Sequence, residues 1–206
     1  MLTLERKIRI AVFVSGGGTN LQALIDAEKS GIIRSGEIVH VVSDNADAYA
    51  LERAQNNGIA TTVVDRKKYP DRDSFDRKLI DTLKDNNIEF IVLAGFMRIL
   101  GVDIIREYEG RMINVHPSLI PSFCGKGFYG LRVHEAALEY GVKVSGATVH
   151  YVNHVVDGGK ILAQKAVDVL EGDTPESLQE RIMVNCERII LPLTVEKLCK
   201  EIADKK

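Results

Sequence analysis

The sequence predicts an α/β fold: a Rossmann-like, mostly parallel sheet with helices on both faces and an antiparallel hairpin near the C-terminus. Runs of β-branched residues alternate with segments whose apolar residues recur at helical spacing. The run IEFIVLAG (88–95) is almost entirely apolar, which is typical of a central strand covered on both faces. Alternating strands and helices imply right-handed crossovers between parallel strands.

The strands of the parallel part follow one another along the chain. The first, IRIAVFV, ends at a run of glycines, and the last, RMINVH, ends just before a proline. The predicted strands cover residues 8–14, 37–43, 59–65, 88–95 and 111–116. Helices are predicted in the intervening segments NLQALIDAEKSG, AYALERAQNNG and SFDRKLIDTLKDNN.

The pattern changes after the fifth strand. A glycine-rich loop, PSFCGKGFYG (121–130), leads to a short helix. The segments KVSGATVHYV (143–152) and KILAQKAVDV (160–169) then have strand character, and the turn NHVVDGG between them predicts an antiparallel hairpin.

The C-terminal tail has the pattern of a helix. Thr174 is suited to cap its N-terminus, and Pro175 occupies the first helical position, where a missing N–H group costs little. Pro192 lies inside the same pattern and is expected to kink or divide the helix.

Composition and charge narrow the function classes. The 206 residues are interpreted as one domain, 1–206. The chain has 27 Lys and Arg against 29 Asp and Glu, a balance that does not predict a basic surface for nucleic acid or an anionic membrane. No apolar stretch approaches the roughly 20 residues that span a bilayer. The three cysteines are widely spaced, which disfavours a disulfide framework or a zinc cluster and predicts a reducing, cytoplasmic location.

The glycine-rich segment SGGGTNLQ (15–22) follows the first strand and opens a helix. Free backbone N–H groups and the positive end of a helix dipole favour an anion there. A Walker loop would need a lysine, and a dinucleotide fingerprint would need a glycine where Leu21 stands. A site for a single phosphate remains, with Thr19 and Asn20 as side-chain donors; a tight turn that binds nothing is the alternative.

Two polar side chains lie two residues apart at the end of the fifth strand. Asn114 and His116 therefore share one face of that strand, at the sheet edge where the glycine segment also lies. An amide beside an imidazole suits oxyanion stabilisation and proton transfer, whereas a core histidine satisfied by asparagine is the plain alternative. Asp157, on a glycine turn, would raise the pKa of His116 above its ordinary value if its carboxylate approached the imidazole; an ordinary hairpin-turn residue is the alternative.

Taken together, these motifs resemble the folate-dependent glycinamide ribonucleotide formyltransferases of purine synthesis, and the resemblance covers nearly the whole chain. It implies the formyltransferase fold. The segments that carry it are SGGGTNLQ, LAGFMRIL, INVHPSLIP, GATVHYV and VDGG.

The resemblance implies formyl transfer from the co-substrate 10-formyltetrahydrofolate to an amine, without a metal. Asn114 would donate to the oxyanion, and a protonated His116 would stabilise it and act as general acid toward the folate N10. Asp157 would keep His116 charged and help to remove the amine proton through a water molecule, which Thr148 would position.

The binding residues are likewise implied by the resemblance. The phosphate of phosphoribosylglycinamide would lie on Gly18, Thr19 and Asn20, and its ribose hydroxyls would meet Glu187. Without the resemblance, Glu187 would be a charge on a solvated helix face, and 97–100 would be core packing and a turn. The residues implied for folate are Arg72, Met97, Arg98, Ile99, Leu100 and Asn114.

Other functions remain as alternatives. A formyltetrahydrofolate deformylase or a methionyl-tRNA formyltransferase would share the polar triplet, but each usually carries an additional domain for which 206 residues leave no room. A nucleotide-binding module without activity would not need all three polar residues. The expected partners are small-molecule substrates, with no nucleic acid and no membrane, and both a monomer and a homodimer remain open.

Overall fold

The structure, a computed structural model, describes residues 6–205. The predicted 1–206 domain also includes residues 1–5 and 206, which lie outside this range. A seven-stranded sheet forms the centre, in the order β3-β2-β1-β4-β5-β6-β7. The strands are β1 (Ile8–Val14), β2 (Gly36–Ser43), β3 (Ala60–Val63), β4 (Phe90–Leu93), β5 (Met112–His116), β6 (Val144–Tyr151) and β7 (Ile161–Asp168).

The sheet has a parallel and an antiparallel part. Strands β1 to β5 pair in parallel, whereas β5 pairs with β6, and β6 with β7, in antiparallel fashion. The predicted mixed sheet with an antiparallel C-terminal hairpin is thus confirmed. Strand β5 is the boundary, since its neighbours run in opposite directions.

Helices cover both faces of the sheet. They are α1 (Thr19–Lys29), α2 (Tyr49–Asn56), α3 (Arg72–Asp85), α4 (Val102–Glu107), α5 (Leu131–Tyr140), α6 (Pro175–Ile182) and α7 (Arg188–Ala203). A 3₁₀ turn (Arg66–Lys68) precedes α3, and a π-helical segment (Met183–Glu187) joins α6 to α7. Within residues 6–205, no helix is both long enough and apolar enough to cross a membrane.

Two apolar cores result from the alternation of side chains along the strands. On β1, Ile10 and Val12 face one core, with α1, α6 and α7, while Ala11 and Phe13 face the other, with α3 and α4. All four side chains are fully buried. Burial on both faces explains why the central strands are continuously apolar in sequence.

Pro192, predicted to kink or divide the C-terminal helix, does not divide it. Helix α7 continues through Pro192, and the change in helical geometry occurs earlier, at the π-helical segment. The N–H group that Pro192 lacks would have bonded to the carbonyl of Arg188, the first residue of α7, so the loss falls at the helix start. Thr174 caps α6 as predicted, accepting a hydrogen bond from the Ser177 N–H, with Pro175 at the first position.

Candidate active site

A cavity of about 1040 Å³ opens at the carboxyl ends of the parallel strands. The glycine loop, residues 15–20, forms one end through Gly16 to Asn20, and the segment 93–100 forms another part of the wall. Asn114, His116 and Asp157 line the same cavity. Residues distant in sequence therefore meet where an open α/β sheet ordinarily binds its ligands.

Strand β5 presents the polar pair to the cavity. His116 is almost fully buried, and Asn114 is half-buried. In the antiparallel register Asn114 lies opposite His150, and His116 lies opposite Thr148. The Asn114 Nδ2 atom lies 3.2 Å from His150 Nε2, while the Nδ1 atom of His150 lies 2.9 Å from the Tyr151 carbonyl oxygen. Since a carbonyl only accepts, His150 carries its proton on Nδ1 and accepts from Asn114 through Nε2.

Asp157 reaches the two imidazoles from the turn between β6 and β7. Its carboxylate oxygens lie 3.6 Å from His116 Nδ1 and 3.6 Å from His150 Nε2. The residue has a φ of 55°, a left-handed conformation that is uncommon outside glycine and costs free energy. Tertiary contacts must therefore hold the turn in the shape that aims the carboxylate at the cavity.

The 121–130 loop also contacts both catalytic candidates through its backbone. His116 donates from Nε2 to the Phe123 carbonyl oxygen at 2.8 Å, and the Gly125 N–H donates to the Asp157 carboxylate at 2.8 Å. The bond to Phe123 places the His116 proton on Nε2, so that Nδ1 is the nitrogen free to accept a second proton. Sequence reasoning missed these contacts because backbone groups carry no residue-type signal.

The expectation that Asp157 raises the pKa of His116 above its ordinary value is wrong. Burial lowers the pKa of His116, and the opposing effects of Asp157 and the Phe123 carbonyl do not offset it. For Asp157, burial alone would raise the pKa, but at the acid pH where a carboxyl group titrates, the contact with His150, the positive charge on His116 and the Gly125 N–H together lower it. The resting site thus favours a neutral His116 beside a charged Asp157.

Thr148 does not reach the cavity. Its side chain is fully buried and is absent from the described residues that line the cavity wall. The hydroxyl donates to the Ser118 carbonyl at 2.6 Å and accepts from the Ile120 N–H and from Gln164. These bonds use the hydroxyl's hydrogen and both lone pairs. Its position supports the chain after His116 and leaves no bond for the catalytic water that the resemblance implied.

The glycine loop has the backbone shape of an anion site. Gly18 precedes helix α1 with a φ of 70°, and no side chain among residues 6–205 caps the helix start. The first N–H groups of α1 therefore keep their hydrogen-bonding capacity for a ligand. Gly18, Thr19 and Asn20 all line the cavity, as a phosphate site requires.

Two residues implied for ribonucleotide binding touch each other across the fold. Asn20 donates from Nδ2 to Glu187 Oε2 at 2.6 Å, and both side chains are buried. Glu187 ends the π-helical segment and lines the cavity. Burial raises the pKa of Glu187 in spite of the Asn20 contact and the charge of Arg188. The Asn20 Oδ1 atom is buried and has no hydrogen-bond partner in the part of the chain that the structure describes.

The segment implied for folate forms an apolar wall of the cavity. Met97 and Ile99 are half exposed, whereas Leu100 is buried. The Met97 N–H donates to the Ser15 hydroxyl, which connects this segment to the glycine loop. Arg98 also lines the cavity and donates from Nε to Asp44 at 2.5 Å, a pairing that sequence analysis did not anticipate.

Arg72 is not brought to the cavity wall. It is the first residue of α3, exposed, and absent from the described lining residues. A Cβ atom built on Gly101 would lie 3.3 Å from the Arg72 Cδ, so the side chain packs beside the residue that follows Leu100. Arg72 thus borders the 97–100 segment from outside.

The fold is an open α/β sheet with a binding cleft at its edge, and polar side chains of the kind that group-transfer enzymes use converge in that cleft. The family model described as formyl transferase matches residues 8–195, and the chain belongs to this family. Within residues 6–205, no group of three or more His, Cys, Asp or Glu side chains is placed to hold a metal ion.

Among curated proteins, the chain is similar to phosphoribosylglycinamide formyltransferases in particular. It is 38% identical to the chloroplastic enzyme of Vigna unguiculata over 200 residues, which is 97% of this chain and 63% of that protein. It is 49% identical to the trifunctional purine biosynthetic protein adenosine-3 of Drosophila pseudoobscura pseudoobscura over 185 residues, 88% of this chain. The chain thus spans less than two thirds of these relatives' length, and only 13% of the trifunctional protein.

Solved structures agree with this similarity. Glycinamide ribonucleotide transformylase 1 from Symbiobacterium toebii superposes with a TM-score of 0.89 at 42% identity, covering 95% of this chain and 89% of that one. Phosphoribosylglycinamide formyltransferase from Coxiella burnetii gives a TM-score of 0.87 at 40% identity, covering 95% and 89%.

Proposed function

We propose that this protein transfers the formyl group of 10-formyltetrahydrofolate to the amino group of 5′-phosphoribosylglycinamide, a step of de novo purine synthesis. The observation that carries the proposal is the convergence of Asn114, His116 and Asp157 on the cavity that also contains the glycine loop. The names of the relatives and structural neighbours support the same activity.

The reaction moves one proton from the amine to the folate N10 while the formyl carbon is transferred from N10 to the amine. The amine attacks the formyl carbon, a tetrahedral oxyanion forms, the bond to the folate N10 breaks, and the proton lost by the amine reaches N10. Asn114 has one N–H group bonded to His150 and a second available for the oxyanion. A donor held in place before the reaction needs little reorganisation as charge develops.

His116 is the group that passes the proton in this proposal. It starts neutral, because burial lowers its pKa, and it accepts the amine proton on Nδ1. Asp157, 3.6 Å from Nδ1, stabilises the imidazolium beside the oxyanion until the proton moves to N10. The role implied by the resemblance therefore changes in one respect: His116 becomes charged during the reaction and is not charged at rest.

The two ends of the cavity suit the two substrates. The phosphate would lie on the backbone of Gly18, Thr19 and Asn20, and the ribose hydroxyls would donate to Glu187. The flat pterin would lie against the apolar wall made by Met97 to Leu100. Arg98 stays in the proposal as the charged member of this wall, and Arg72 as a residue that borders it from outside.

A spectroscopic assay tests the proposal. The protein is mixed with 10-formyltetrahydrofolate, and deformylation of the folate is followed with and without phosphoribosylglycinamide. Turnover that requires the ribonucleotide is expected. Turnover with water alone would identify a deformylase. Turnover that requires methionyl-tRNA, added in place of the ribonucleotide, would identify the tRNA enzyme.

We expect Glu187→Gln to raise the KM for phosphoribosylglycinamide about tenfold, since a charged acceptor bonds hydroxyls more strongly than a neutral one. The variant keeps an oxygen for the Asn20 amide, so the fold should be unchanged. Steady-state kinetics with each substrate varied in turn provide the measurement. Glu180→Gln, exposed on α6, is the matched control. An equal rise in the KM for the folate would contradict a role at the ribose.

A further inference from the structure

Helix α2 bonds to the glycine loop through two consecutive carbonyl groups. The Ala50 N–H donates to the Gly16 carbonyl at 3.0 Å, and Arg53 donates from Nε to the Gly17 carbonyl at 2.8 Å. Both loop carbonyls are therefore drawn toward α2.

The direction of a carbonyl determines where the next N–H group points. In a planar trans peptide the C=O and N–H bonds point in opposite directions. With the carbonyls of Gly16 and Gly17 turned to α2, the N–H groups of Gly17 and Gly18 point to the other side of the loop, and both residues line the main cavity. Glycine imposes little resistance to peptide rotation, so a flip that pointed an oxygen at the phosphate is prevented mainly by these two bonds.

Two further side-chain contacts fix the position of the Arg53 guanidinium beside the loop. Its guanidinium lies over the Tyr49 ring, 4.9 Å from the centroid, and Nη1 donates to Gln22 Oε1 at 3.2 Å. The helix also packs directly on the loop, because a Cβ atom on Gly18 would lie 2.6 Å from Ala50 Cβ. Within residues 6–205, no carboxylate forms an ion pair with Arg53.

We infer that Arg53 is a positioning residue that orients the Gly17–Gly18 peptide so that its N–H group faces the phosphate of the ribonucleotide. The inference rests on the proposed function for the identity of that ligand. Arg53 acts through the loop backbone, since it lines a separate groove between α1 and α7 and is not part of the main cavity wall.

Two substitutions separate the hydrogen bond from the charge. In Arg53→Gln the amide nitrogen occupies the position of the arginine Nε and can donate to Gly17 without a charge. In Arg53→Lys the charge remains, but a methylene group replaces Nε. Arg53→Ala removes both. The control is Arg34→Ala, because Arg34 donates from Nε to the Gly31 carbonyl at 2.7 Å near the other end of α1.

We expect Arg53→Ala and Arg53→Lys to raise the KM for phosphoribosylglycinamide about tenfold, and Arg53→Gln to remain within about twofold of the parent protein. The KM for 10-formyltetrahydrofolate and kcat at saturating ribonucleotide should not change, nor should any constant of Arg34→Ala. Binding of inorganic phosphate, followed by ³¹P NMR, should weaken in the same order.

Two results would overturn the inference. One is a normal KM for phosphoribosylglycinamide in all three Arg53 variants, and the other is a normal KM in Arg53→Lys together with a raised KM in Arg53→Gln. If the parent protein does not formylate phosphoribosylglycinamide, the proposed function fails. The ³¹P titration still ranks the four variants in that case, and equal phosphate binding in all of them would overturn the positioning role on its own.

Discussion

Asp157→Asn is expected to lower kcat/KM on the order of 100- to 10,000-fold, the range associated with loss of assisted proton transfer. The carboxylate lies 3.6 Å from His116 Nδ1 and stabilises the imidazolium that forms when the amine proton arrives. Asparagine can still accept the Gly125 N–H, so the turn should keep its shape. Steady-state assays over a range of pH provide the measurement.

The same variant has a predicted effect on the pH profile. Activity requires neutral His116, so kcat/KM rises as His116 loses its proton, and burial places this rise below the ordinary pKa of histidine. Removing the carboxylate removes a factor that raises the pKa of His116, and the acid limb should move to still lower pH. Asp168→Asn, at the end of β7, is the control. An acid limb that stays in place would exclude Asp157 from the proton transfer.

Asn114→Ala is expected to lower kcat on the order of 100- to 1,000-fold, which is the usual cost of removing one oxyanion donor. Binding of both substrates should change much less, because the lost hydrogen bond forms only as charge develops on the formyl oxygen. Single-turnover measurements at saturating substrate separate the chemical step from binding.

The control for Asn114→Ala is Asn56→Ala, an exposed residue at the end of α2, which should leave both constants unchanged. A loss confined to KM would show that Asn114 binds the ground state and is not an oxyanion donor. Asn114→Ala also removes the contact with His150. Asn114→Ser keeps a smaller donor and should therefore recover part of kcat.

Much of the fold could be predicted because its causes are local. β-Branched runs, helical spacing and the DGG turn mark the strands, the helices and the hairpin directly. The parallel order then follows from the crossover rule, which brings the glycine loop and the β5 pair to one sheet edge. The approach of Asp157 to His116 follows from the hairpin, because β6 lies beside β5.

The remaining features depend on the surroundings of each residue. Burial decides the pKa of His116, and burial is a property of the assembled cavity. The pairing of Arg98 with Asp44 joins two loops that share no sequence pattern. The short helix α4 and the π-helical segment also escaped prediction, since six or fewer residues carry too little periodicity.

Strand β5 is parallel to β4 and antiparallel to β6, and its pairing with β6 limits where residues can be inserted. Insertion of a single residue within β6 would exchange its two faces, moving His150 away from Asn114 and shifting the turn that carries Asp157. Variation in length should therefore be confined to the connections, while the number of residues in β5 and β6 should be almost invariant among active relatives.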